Sequence, residues 1–220
     1  MGFSETAGRV QNKGLSYMRI IETNAAPNPR RVRVFLAEKG IEVLYEEFAL
    51  NIENIQSDEF ASLNPMRQVP ILILDDGETI TETMAICRYF EELNPEPRLL
   101  GETALEKARV EMWNRRVELG LFFAVAQAFR HLHPKMSERE VPQVSDWGAA
   151  NQQKAIARLE LLDHRLRTSR FIAGDTYSVA DITALVAVDF MVAARIERPA
   201  ELAGVTRWYE EVATRPSAAA

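Results

Sequence analysis

The chain has 220 residues and a formal net charge of −6, and 47% of its residues are hydrophobic, among them three Trp and ten Phe. That much apolar surface supports a buried core in one large domain or two small ones, and excludes global disorder. The acidic balance argues against a nucleic-acid backbone or an anionic membrane as partner, because each needs a dense Lys/Arg face.

Residues 1–17 are polar and lack the apolar centre of a secretory signal, so they read as a loosely ordered extension. No apolar run approaches the roughly 20 residues of a membrane span. Met18–Glu22 is short and rich in β-branched residues, which suits a strand. A turn over Asn24–Asn28 leads into a helix with Asn28 as N-cap and Pro29 at its first position, where no N–H is needed. Val32, Phe35, Leu36 and Lys39 keep helical spacing, and Gly40 supplies the stop. Ile41–Phe48 reads as a second strand and Pro70–Leu74 as a third, with a looser connection between them. Asp76-Gly77 signals a tight turn into a return strand at Glu78-Thr79-Ile80. A helix over Glu82–Leu93 closes a β-α-β, β-β-α unit with a mixed sheet.

Asn94-Pro95-Glu96-Pro97 breaks structure and marks a linker over 94–102. Beyond it the pattern is helical: Thr103–Phe129, ending near His133-Pro134; Ser145–Thr168; Ser178–Val192, apolar on every side; and Val205–Thr214, stopped at Pro216. Ser178 and Asp181 have capping-box spacing, which is a structural role. The fold class is therefore α/β plus all-α, with units over 18–93 and 103–220.

The first unit resembles the thioredoxin-like domain of glutathione transferases. Asn64-Pro65-Met66-Arg67-Gln68-Val69-Pro70 is similar to that family's Asn-Pro-x-x-x-Val-Pro segment, whose last Pro is cis. Glu82-Thr83-Met84-Ala85-Ile86 is similar to its Glu/Gln-Ser-x-Ala-Ile segment, and Pro27–Gly40 to its first helix. Gly174-Asp175 with Ser178, Ala180 and Asp181 resembles the start of its buried helix. The resemblance runs from about Met18 to Pro216 and implies glutathione as co-substrate, no metal, and a cytoplasmic homodimer engaged in detoxification. Cys87, the sole cysteine, forms no intrachain disulfide and fits a reducing compartment.

Each part of glutathione then has a counterpart. The Val69 backbone, turned out by Pro70, pairs with the extended tripeptide. Free N–H groups at the helix opening on Glu82-Thr83 receive the head carboxylate. Glu82 takes the ammonium, the Thr83 hydroxyl adds a donor, and Gln68 reaches the glycine end.

Catalysis requires a thiolate at neutral pH, and a free thiol titrates at about 8.5. The family's Ser or Cys position falls on Ala26, which has no donor. Asn28 matches the Asn of the Ser/Thr-Pro-Asn loop of bacterial relatives, the Nu class among them, so it either donates to the sulfur or caps its own helix. Thr23, Asn24 and the more distant Tyr17 are substitutes. Cys87 lies within a helix among apolar neighbours and reads as core. His131 and His133 sit at a helix end without acidic company and read as caps. Trp113 and Arg116, early in the helical half, are candidates for the electrophile pocket, with core or dimer contact as the other reading. The leading function is addition of the glutathione thiolate to a small hydrophobic electrophile. Glutathione-dependent disulfide reduction, a maleylacetoacetate-type isomerase and a non-catalytic glutathione-binding module are the alternatives.

Overall fold

The computed structural model describes residues 18–220; the expected extension over 1–17 and Tyr17 lie outside them. Strand β1 (Arg19–Glu22) takes the middle of a four-stranded sheet ordered β2-β1-β3-β4. Strand β2 (Leu44–Glu47) runs parallel to it in the register Ile21↔Glu46. Strand β3 (Ile71–Ile73) runs antiparallel in the register Ile21↔Ile71, and β4 (Thr79–Thr81) pairs β3 with Ile71↔Thr81. Because strand side chains alternate, Ile20 and Leu72 face one side of the sheet and Ile21, Ile71 and Ile73 the other.

Helix α1 (Pro27–Lys39) begins earlier than its cap signals implied. Ala26 is the N-cap and Pro27 the first helical residue, so Asn28 does not cap. Two prolines in one turn both suit helix entry, and the upstream one governs. Gly40 ends the helix at φ 64°, a conformation costing other residues about 1 kcal/mol or more. The connection to β3 holds two short helices that periodicity does not reveal, α2 (Ile52–Gln56) and α3 (Asp58–Leu63), capped by Asn51 and Ser57 side chains. Helix α4 (Thr83–Leu93) follows β4.

The helical half opens with α5 (Ala104–Arg116), started by the reciprocal bonds of Thr103 and Glu106. Its continuation is a π-helical turn over Val117–Phe122, then α6 (Phe123–Leu132). Helices α7 (Ser145–Leu166), α8 (Val179–Phe190) and α9 (Ala203–Ala213) complete it. Among the described residues no helix is long and apolar enough to cross a membrane.

Helix α8 is buried from Val179 to Val188. Asp181 at its start accepts from Ser178 N–H and Oγ, Ile172 N–H and Trp208 Nε1, all within 3.0 Å. Burial raises its carboxyl to about 6 against the pull of those donors. One core cluster joins α1 and β1 to α5 through α9, so the two halves share their interior. Three charged side chains of α1 cross the junction. Arg30 binds Asp189 at 2.6 Å, Arg31 binds Glu118 at 2.9 Å, and Glu38 binds Arg215 at 2.6 Å and the Ser217 hydroxyl.

Candidate functional site

A cleft of about 440 Å³ opens between the α1 end of the sheet and the helical half. On the sheet side it is lined by Thr23, Ala25–Asn28, Leu50 and Arg67–Val69. The helical side contributes Phe122, Ala126, Phe129 and Phe190, with Arg130, Lys135, Met136 and Arg139.

The sheet-side wall is built around Val69. Asn64 is buried; its amide donates to the Gln68 carbonyl at 2.8 Å and its carbonyl accepts from Met66 N–H at 3.0 Å. That brace forces the loop to turn, with Arg67 at φ 53°, and the Val69–Pro70 bond is cis. Pairing of β3 begins only at Ile71, so neither backbone group of Val69 has a partner among the described residues. The antiparallel register Ile71↔Thr81 carries Glu82 and Thr83 back alongside Pro70 and Val69. Glu82 holds φ 70°, a strained value for a residue with a side chain. It caps α4 with no side-chain bond, which leaves the first N–H groups of that helix open. The Gln68–Thr83 edge thus offers a free backbone pair, a helix N-terminus and an exposed carboxylate, the partners an extended peptide with an amino-acid head requires.

At the neighbouring corner, Pro27 and Pro29 have no N–H, so Asn28 is the sole backbone donor in the first turn of α1 without a partner among the described residues. Its Oδ1 accepts from Arg31 Nη1 at 3.2 Å. A guanidinium only donates, so this contact fixes the amide orientation and leaves Asn28 Nδ2 as a free donor. Arg31 is 2% exposed and is held in turn by Glu118 Oε1 and Thr183 Oγ1, at 2.9 and 3.1 Å. Glu118 belongs to the π-helical turn. Of the other donor candidates, Thr23 Oγ1 donates to Glu47 at 2.7 Å, and the backbone N–H of Asn24 donates to the same carboxylate at 3.2 Å.

The comparisons with known proteins bear on this geometry. Residues 25–93 match the family profile described as glutathione S-transferase, N-terminal domain, and residues 149–216 match glutathione S-transferase, C-terminal domain. Glutathione S-transferase 2 of Saccharomyces cerevisiae is 36% identical over 91% of this chain and 87% of its own. The chain belongs to the glutathione S-transferase family. A maleylacetoacetate isomerase of Rattus norvegicus is 36% identical over 69% of this chain and 68% of its own. The crystal structure of a glutathione S-transferase domain-containing protein from Marinobacter aquaeolei matches with a TM-score of 0.85 and 36% identity, over 90% of this chain and 98% of that one.

Within this glutathione S-transferase the cleft gathers Asn28, Gln68 and Val69; Pro70, Glu82 and Thr83 stand on the adjoining sheet edge. Trp113 and Arg116, expected at the electrophile pocket, lie away from this cleft. They edge a separate cavity with Leu119 and Arg158, where the guanidiniums of Arg116 and Arg165 approach the Trp113 ring centroid at 4.8 and 5.3 Å. The helical-side lining comes from Phe122, the last residue of the π-helical turn, and from residues beyond it. Lys135 and Arg139, from the turns after α6, carried no sequence signal beyond their charge. Cys87 is fully buried, and desolvation pushes its thiol up to about 12, so it offers no nucleophile. His131 and His133 accept the backbone N–H groups of Val144 and Lys135 through Nδ1, as caps do.

Proposed function

We propose that this chain binds glutathione along the Gln68–Thr83 edge and adds its thiolate to a small electrophile held against the helical wall of the cleft. The observation that carries this reading is the Arg31–Asn28 contact. It supports Asn28 as donor of two hydrogen bonds, from N–H and Nδ2, to a sulfur at the start of α1. Both bonds and the positive end of the helix favour the charged sulfur and lower the thiol pKa. The thiolate carbon–sulfur bond forms as the leaving group departs with its electron pair, while the thiol proton passes to solvent. Val69 aligns the tripeptide, Glu82 takes its ammonium, the Thr83 corner takes its head carboxylate, and Gln68 meets the glycine end. Phe122, Phe129 and Phe190 exclude water from the reacting face.

The fully buried single thiol fits a cytoplasmic setting. A homodimer is supported by Leu105, Met112 and Leu119, which repeat every seven residues at 58%, 40% and 58% exposure. The units proposed for the chain are 18–93 and 103–220, joined through 94–102.

Asn28→Ala tests the reading. Loss of one charged-acceptor hydrogen bond costs about 2 kcal/mol, or roughly thirtyfold in kcat/KM, with glutathione Kd within threefold. The ultraviolet absorbance of bound thiolate between pH 5 and 9 reports the same change as an upward shift of the thiol pKa. Unchanged turnover removes Asn28 from the mechanism. Absence of glutathione binding at millimolar concentration removes the reading altogether.

A further inference from the structure

The cleft holds more positive charge than glutathione calls for. In a chain of net charge −6, four side chains that line it are cationic: Arg67 on the sheet side, and Arg130, Lys135 and Arg139 on the helical side. Arg67 Nη1 is committed to the carbonyls of Ile55 and Ser57, at 2.6 and 3.0 Å. Arg130 pairs with Glu140 at 2.6 Å. Lys135 and Arg139 have no acidic partner among the described residues, and Glu140 is the sole carboxylate paired with this group. Loss of hydration and then the neighbouring Arg130 charge hold the Arg139 guanidinium below its ordinary value. Lys135 and Arg139 reach solvent, and like charges gathered beside an apolar wall are relieved when an anion joins them.

The rest of that wall is aromatic. Phe129 and Phe190 have ring centroids 5.0 Å apart, and Phe122 lies 6.5 Å from Phe190. Glutathione's own carboxylates have separate provision, at the start of α4 and at Gln68. We infer that the second substrate is an apolar electrophile bearing a carboxylate, its ring or chain against Phe129 and Phe190 and its anionic group on Lys135 and Arg139. This inference rests on the transferase reading. The chemistry is unchanged: the sulfur bonds to the electrophilic carbon, the leaving group departs with its electron pair, and the carboxylate stays intact as the handle.

The probes are 4-chloro-3,5-dinitrobenzoate and its methyl ester, each enzymatic rate divided by the uncatalysed rate with glutathione under the same conditions. The carboxylate is expected to lead in normalised kcat/KM by about tenfold at low ionic strength, the sum of two modest ion pairs, and to lose that lead as salt is added. In the Lys135→Gln/Arg139→Gln double variant the ratio collapses toward one. The ratio is internal to each protein, so a general loss of activity does not mimic it. An equal or reversed ratio in the parent protein overturns the inference and leaves the transferase reading in place. Calorimetry with the two S-aryl glutathione conjugates separates the cases further. A carboxylate preference in binding without turnover of either probe supports the anion site and overturns the transferase reading. Equal affinity for the two conjugates overturns the anion site.

Discussion

Helix α1 and the segment 49–68 flank one cleft but are held in different ways. Helix α1 buries Val32, Val34, Phe35 and Leu36 completely in the core shared by both halves, and Arg30, Arg31 and Glu38 tie it across the junction. The segment 49–68 buries Phe60 against Phe48, with rings 4.1 Å apart, and little else that is apolar. Side chains bonded to backbone hold it instead: Asn51, Ser57, Asn64 and Arg67. Apolar burial spread over a helix opens only with global unfolding, whereas a few polar bonds of about 1 kcal/mol each permit local opening. The corner that holds Asn28 is therefore the more rigid, and the edge proposed for the tripeptide is the one free to open locally.

The largest test of that contrast is Asp181→Ala. It strips the acceptor from four buried donors beneath the fixed side, and urea unfolding is expected to show a loss of about 4 kcal/mol. A loss below 1 kcal/mol contradicts a core that acts as one unit. Next is Glu38. Burial alone raises its carboxyl, but the hydrogen bonds from Arg215 and Ser217 and the Arg215 charge outweigh that, and its pKa is lowered from 4.5. A lowered native pKa contributes stability that is present above pH 4.5 and lost as pH falls through the native value. Glu38→Gln is expected to cost roughly 2 kcal/mol at pH 7 and to flatten the acid limb of a stability–pH curve. An acid limb as steep as the parent's removes Glu38 from the tie. The smallest global effect belongs to Asn64→Ala. The midpoint of unfolding stays within about 2 °C, while hydrogen exchange at Met66 speeds up and glutathione binds about tenfold more weakly. A global loss as large as that of Asp181→Ala erases the distinction between the two sides.

Much of this was readable before any coordinates. Gly40, Asp76-Gly77 and the Ser178/Asp181 pair each marked a true boundary, because each relies on backbone geometry that few residues supply. The Val69–Pro70 edge and the Glu82-Thr83 corner were legible as a motif, and the sheet register explains why the two meet. The role of Asn28 was open, since a cap and a donor need the same residue; the contact with Arg31 lies in the packing and not in local sequence. Helices α2 and α3 were missed because five or six residues do not complete a periodic pattern, although Asn51 and Ser57 were there to be read as caps. The structure sets Trp113 and Arg116 apart from the cleft. Their sequence signal was a place early in the helical half, and both precede the π-helical turn, whereas the cleft takes its helical wall from Phe122 onward.

That turn has a practical meaning for anyone who redesigns the cleft. Phe123 N–H reaches back five residues to the Glu118 carbonyl, so the long helix carries one residue beyond its regular count. Deletion of a single residue there would restore an ordinary helix and leave the later side chains on the faces they now hold, whereas the same deletion within α5 or α6 would swing them by about 100°. A deletion in α5 would carry Phe129 and Arg130 away from the cleft together. Position-swap libraries drawn up by heptad arithmetic from Thr103 would accordingly sample the outer cavity while intending to sample the cleft. Counting must restart at Phe123.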